Sequence, residues 1–163
     1  MIFDNLHYLS KKYIQSRLDK DSGNLLNVAS SAGFMAGPKL STYYATKSYV
    51  LRLSEAIYQE LKERNSNVHI SILCPGPVDT EFNDVAKCKE SVKGTKKDKI
   101  AAYAVDKTLK NILHITPTFK MKLALLGNRL IPTKLLLKIN YNIQSKKQKW
   151  YNHNGDDKTW YLI

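Results

Sequence analysis

Three stretches decide the fold: LLNVAS at residues 25–30, STYYATKSYVLRLSEAIYQELKER at 41–64 and VHISILCPGP at 68–77. Leu25-Leu26-Asn27-Val28-Ala29 is short and apolar. The breakers Asp21, Ser22 and Gly23 precede it, and a small-residue loop follows from Ser30 through Gly33 and Gly37 to Pro38. This is the pattern of a buried strand in a parallel sheet. From Ser41 to Arg64, Leu53, Ile57 and Leu61 form one apolar row with Val50 and Leu51 beside it, while Glu55, Glu60, Lys62 and Glu63 occupy other faces. That period predicts a long helix. Asn65 to Asn67 end it, and Val68 to Cys74 reads as a second strand stopped by Pro75-Gly76-Pro77. Upstream, Leu6, Leu9, Tyr13, Ile14 and Leu18 approximate a helical stripe over 5–18. Helix, strand, loop, helix, strand is the alternation of an α/β fold with a parallel sheet. A right-handed crossover puts both strands' C-terminal ends on one edge, where open α/β sheets bind ligands.

Composition narrows the function classes. The chain has 163 residues, 43% of them hydrophobic and 25% charged, enough for one domain with a core. Its net charge is +12. Residues 1–86 hold nine bases and nine acids, so the remaining 26 − 9 = 17 bases and 14 − 9 = 5 acids put the whole excess beyond residue 86. That split argues against a uniformly basic nucleic-acid domain, and no base-stacking module appears, so no nucleic-acid partner is expected. Cys74 and Cys88 make neither a zinc site nor a disulfide framework. His7, His69, His114 and His153 lack ligand spacing, so no metal is expected. No signal peptide precedes Asp4 and no run of about 18 apolar residues occurs. A cytoplasmic location is the expectation.

Chemistry centres on Tyr43-x-x-x-Lys47. Residues four apart share a helix face, and an ammonium beside a phenol favours the phenolate. A tyrosine brought down from about 10 toward neutrality can act as an acid or base on an alcohol or carbonyl oxygen. The spacing alone is weak, because it recurs at Tyr8/Lys12, Tyr58/Lys62 and Tyr103/Lys107, where a solvated helix pair explains it. Only Tyr43 has a serine thirteen residues upstream, Ser30, at the end of a buried strand. Only Tyr43 also opens a helix that leads to a strand ending at Pro75-Gly76. Singly, each residue has a plainer reading: Ser30 as a loop cap beside the alternative hydroxyl Ser31, Pro75-Gly76 as a turn, Thr80 as a helix cap.

As a set, Ser30, Tyr43-x-x-x-Lys47 and Pro75-Gly76-Pro77-Val78-Asp79-Thr80 resemble the catalytic half of the short-chain dehydrogenase/reductase family, strongly over residues 1–82. The resemblance implies a partial Rossmann-like, doubly wound parallel sheet and an NAD- or NADP-dependent oxidoreductase acting on a small alcohol/carbonyl substrate. It gives Tyr43 the acid/base role. Lys47 would lower the tyrosine's pKa and bind the nicotinamide ribose, and Ser30 would hold the substrate oxygen. Pro75, Gly76, Val78 and Thr80 would shape the nicotinamide site. Homodimerisation through the helices near 5–18 and 43–64 is a further implication.

The chain departs from the family in one respect. The strand and glycine-rich turn that cradle the cofactor's pyrophosphate are absent from the sequence. Gly33 and Gly37 do not replace them, because the next required glycine is Lys39 and Pro38 interrupts a helix start. The family's catalytic asparagine falls near Ile2, and Asn5 matches it poorly. Residues 1–86 are therefore expected to be a catalytic half, preferably a fragment of a longer enzyme, with an apolar sheet edge that promotes aggregation. The alternative is a short protein completed by a partner.

Residues 87–144 read as a lysine-rich loop to Lys99, a helix from Ile100 to His114, and apolar stretches at 119–126 and 133–143 that form a helical lid. Such a lid would favour a lipophilic substrate, while the plainer reading of the same stretches is ordinary core helices. The interleaved lysines also suggest peripheral contact with an anionic membrane. Residues 145–163 are expected to be a tail without fixed structure.

Overall fold

Alternating apolar strands and amphipathic helices leave the chain one economical arrangement, a parallel sheet with helices on both faces. The structure, a computed structural model, describes residues 2–79 and 95–148. In chain order its elements are α1 (Ile2–Leu18), β1 (Gly23–Val28), a 3-10 turn (Ser31–Phe34), α2 (Ser41–Glu63), β2 (Val68–Leu73), β3 (Val78–Asp79), β4 (Thr95–Lys96), α3 (Lys97–Leu109), β5 (His114–Ile115), α4 (Phe119–Leu130) and α5 (Thr133–Gln148).

β2 is the central strand. It pairs in parallel with β1, Gly23 opposite Val68 through Val28 opposite Leu73, and with β5, Ile72 opposite His114. β2 is covered on both faces: Val68, Ile70 and Ile72 line one, and the other carries Leu73 with the half-buried His69 and the fully buried Ser71. Val68, Ile70, Ile72 and Cys74 face α1 and α2, meeting Val50, Leu51 and Leu61, while Leu73 faces α3 and meets Ile100 and Ala104. The mixed α/β architecture expected from the sequence is the one observed. Among the described residues β1 is an edge strand, with Val28 53% exposed.

Three boundaries differ from the sequence reading. The helix expected over 100–114 runs from Lys97 to Leu109. Asn111 takes a left-handed conformation (φ 57°) that ends it, and His114 and Ile115 join the sheet instead. Gly127 does not end α4. A Cβ there would meet nothing within 4 Å, and the helix continues to Leu130. α5 continues past Ile143 to Gln148. Within the stretch read as a lysine-rich loop, Thr95 and Lys96 pair with Val78 and Asp79. Residues 80–94, Thr80 included, and 149–163 lie outside the described residues.

At the opposite edge of the sheet from the expected site, Asp21 ties two turns together. One carboxylate oxygen accepts from the Ser66 hydroxyl and the Asn67 backbone N–H, each at 2.8 Å, and the other accepts from the Asn67 side chain at 2.7 Å. The Asn67 backbone N–H, then the hydroxyl and amide side chains, hold the Asp21 carboxyl below its ordinary range. Its stabilisation is therefore complete above the unfolded-state value of about 3.9 and is lost as pH falls through the lower folded value. Asp21→Asn tolerates the positive φ of 42° at this position but brings an amide N–H against donors. The variant should melt at lower temperature at neutral pH. It should also lose less of its remaining stability between about pH 4 and 2 than the parent, in thermal melts followed by circular dichroism. Parallel pH curves for the two proteins would contradict this.

Candidate active site

The loop leaving β1 is built to meet the loop leaving β2. Ser30 is extended (φ −170°, ψ 162°) and caps the 3-10 turn, its hydroxyl accepting from the Ala32 N–H at 3.1 Å. The same hydroxyl donates to the Pro75 carbonyl at 3.5 Å, and the Ser31 N–H donates to that carbonyl at 2.9 Å. Ser30 is buried and Pro75 half-buried. The capping role is thus real, and Ser30 and Pro75 lie together at the C-terminal edge of the sheet. The Ser30 proton is held by a long, weak bond that an incoming acceptor can replace at little cost.

α2 approaches this edge with its first two turns. Gly33 makes the approach possible, because a Cβ there would stand 2.7 Å from the Lys47 carbonyl oxygen. Gly37 does the same beside the Tyr44 ring, where any Cβ would overlap the aromatic carbons. The Lys47 ammonium sits 5.9 Å from the centroid of the Tyr43 ring and donates to the Val28 carbonyl at 3.2 Å. Burial pushes the Lys47 pKa down from its ordinary value. The Tyr43 ring meets Tyr44 edge-on, with centroids 6.0 Å apart.

Tyrosine–lysine stacking by itself distinguishes nothing. Lys12 lies 5.7 Å from the Tyr8 ring and Lys107 5.2 Å from the Tyr103 ring. Tyr8 is 60% exposed, however, and Lys107 is drawn to Asp106 at 3.1 Å. Lys47 instead bridges its tyrosine to the end of the strand that carries Ser30.

The remaining residues complete the picture. Among the described residues, a Cβ at Gly76 would meet the thioether of Met121 on α4. Val78 is half-buried against the core under α3. Asn5 is exposed on α1. The Cys74 thiol, next to Pro75, is pushed up to about 12 by burial and by the Glu55 carboxylate, so it stays protonated and is no nucleophile. A cleft of about 550 Å³ lies between the 33–38 loop, the Tyr44 and Ser48 side of α2, and Leu137; Ser30, Tyr43 and Lys47 do not line it. Sequence reasoning missed the polar walls of this region. Asn140 of α5 donates to the Ala36 carbonyl at 2.8 Å, and Gln144 donates to the Tyr44 hydroxyl at 2.7 Å. Their spacing of four residues was the available signal.

A family model for short chain dehydrogenase matches residues 5–91. An uncharacterised oxidoreductase of Staphylococcus saprophyticus is 40% identical over 63 residues, 39% of this chain and 26% of that protein. Among solved structures, a 7β-hydroxysteroid dehydrogenase superposes with a TM-score of 0.66 at 18% identity, over 80% of this chain and 50% of that one. A short-chain dehydrogenase/reductase from Burkholderia phymatum in complex with NAD gives 0.56 at 20% identity, over 66% and 47%. The chain thus spans from about a quarter to half the length of these proteins. The match over 5–91 takes in the sheet edge that brings Ser30 to Pro75 and Lys47 to Val28, and the chain belongs to the short-chain dehydrogenase family.

Proposed function

We propose that the chain supplies the catalytic half of an NAD- or NADP-dependent oxidoreductase acting on an alcohol/carbonyl pair. The observation that carries this reading is Lys47, half-buried between the Tyr43 ring and the Val28 carbonyl at the edge where Ser30 and Pro75 meet. A desolvated ammonium there favours a neighbouring phenolate, so Tyr43 passes a proton to or from the substrate oxygen. Ser30 turns its hydroxyl from Pro75 to that oxygen and orients it. The nicotinamide carries the hydride; the protein supplies position and charge.

The residues fit the nicotinamide end of such a cofactor. Lys47 would hold the ribose, and Pro75, Gly76 and Val78 would border the ring; the family resemblance adds Thr80, which lies outside the described residues. Among the described residues, what a Cβ at Gly76 would meet is a flexible methionine side chain that can give way. For the pyrophosphate, the 163 residues contain no glycine-rich strand-to-helix turn. A discriminating experiment follows from this division. The purified chain should bind reduced nicotinamide mononucleotide about as well as NADH, both weakly, because the adenosine half meets no partner here. Lys47→Ala should weaken both. Fluorescence titration measures it. Indifference to Lys47→Ala, or no binding of either compound at millimolar concentration, would overturn the assignment.

Two companion proposals concern partners. The groove between α1 and α2, about 470 Å³ and floored by Ile14, Leu53 and Ile57, is where a second copy would pack. The basic C-terminal half would rest on an anionic membrane surface. What favours the latter is that residues 119–148 carry seven bases, Lys120 to Lys147, and no aspartate or glutamate. A lipophilic substrate accords with the same placement.

A further inference from the structure

α5 is turned inside out. Its buried side chains include two amides, Asn140 (7% exposed) and Gln144 (5%), which grip Ala36 and Tyr44. Its outward row is aliphatic: Leu135, Ile139 and Ile143 follow each other at four-residue spacing and are 51%, 39% and 46% exposed. A helix bathed only by water would be expected to show the reverse polarity. α4 repeats the theme. Phe119, Leu123, Leu126 and Leu130, at positions i, i+4, i+7 and i+11, form one stripe, 79%, 60%, 57% and 80% exposed. Met121 and Leu125, on the other side of that helix, are the half-buried ones.

We infer that these two rows are one membrane-docking face: Phe119, Leu123, Leu126 and Leu130 of α4, with Leu135, Ile139 and Ile143 of α5, enter the headgroup boundary of an anionic bilayer. The inference rests on the membrane reading above and assigns it to particular side chains. Apolar rows edged by lysines, here the exposed Lys122, Lys134 and Lys138, suit an interface of hydrocarbon under negative headgroups. A second copy applied to the same face would meet an equal excess of positive charge, which disfavours self-association there. Among the described residues no helix is long and apolar enough to cross a membrane, so the contact is one of surface insertion. α5 also holds the Ala36 loop and Tyr44, the residue next to Tyr43, so docking would set the membrane beside the site's loop.

Sedimentation of the full chain with phosphatidylcholine vesicles, with and without phosphatidylglycerol, tests the inference. The expected result is binding only to the anionic vesicles, falling as salt rises. Lys122→Glu/Lys138→Glu should weaken it about 30-fold or more, from roughly fivefold per base removed near an anionic surface. Leu123→Gln/Ile139→Gln changes no charge and should abolish binding at moderate salt. All four positions are exposed, so the variants should keep the parent's melting temperature and its nicotinamide binding. Failure of the parent to bind anionic vesicles at low salt would sink the membrane reading itself. Equal binding by parent and Leu123→Gln/Ile139→Gln would leave that reading standing and overturn the assignment of this face. Preference for soluble poly-glutamate over vesicles would point to an acidic protein partner and overturn both.

Discussion

Replacing Tyr43 with phenylalanine should cut turnover of an alcohol/carbonyl pair by about 10²- to 10⁴-fold, the usual contribution of a positioned acid/base group. The change removes one hydroxyl and keeps the ring. The edge-on contact with Tyr44 and the Lys47 stacking therefore persist, and the melting temperature should barely move. Tyr8→Phe and Tyr103→Phe are the proper controls, because both tyrosines carry a stacked lysine at similar distance. Neither should affect rate. In assays of whichever assembly reduces a carbonyl with a nicotinamide cofactor, a loss below about tenfold in Tyr43→Phe would remove it from the acid/base role. Lys47→Ala should act differently, raising KM for the cofactor and moving the rate profile toward alkaline pH, since it removes the charge and leaves the phenol.

What was legible in the sequence follows the strength of local signals. The strands at 25–29 and 68–74 were readable because burial keeps them mostly apolar, broken only by Asn27, His69 and Ser71, and α2 because its apolar row recurs from Val50 to Leu61, about three turns. β5 was not readable. Two residues carry no period, and only the geometry of β2 recruits His114 and Ile115 into the sheet. The start of α3 at Lys97 was hidden for a similar reason, since Lys97, Asp98 and Lys99 are ordinary solvent-facing residues whose helicity comes from packing of Ile100 and Ala104 below them.

The site shows the same division. Spacing singled out Tyr43 and Lys47 from their look-alikes, but only by reference to Ser30 and Pro75 elsewhere in the chain. What separates Lys47 physically is the Val28 carbonyl, a contact across 19 positions that no local pattern encodes. The grip of Asn140 on the Ala36 loop and of Gln144 on Tyr44 of α2 was missed because amides on a helix otherwise rich in leucine and isoleucine read as its wet side. They are the dry side, and the aliphatic residues face out.

Leu51→Ala should be the most damaging conservative change to stability, costing about 2–5 kcal/mol of a total that for such a domain is roughly 5–15 kcal/mol. Leu51 is fully buried between α2 and the sheet, packed with Ala29, Ile72 and Cys74, and rigid strands on one side cannot collapse into the space it leaves. Gly33→Ala attacks the same layer from the opposite direction, by overpacking, at about 1–3 kcal/mol. The new methyl would lie 3.4 Å from the Leu51 Cβ but only 2.7 Å from the Lys47 carbonyl oxygen. Trimming Leu51 therefore does not make room for it, and the double variant should be less stable than either single one in urea titrations followed by circular dichroism. Recovery of stability in the double variant would mean that the side chain, not the helix backbone, limits the approach. Because the obstructing carbonyl belongs to Lys47, Gly33→Ala should also weaken nicotinamide binding under conditions where the protein is still folded, whereas Leu51→Ala should weaken it only as the fold is lost.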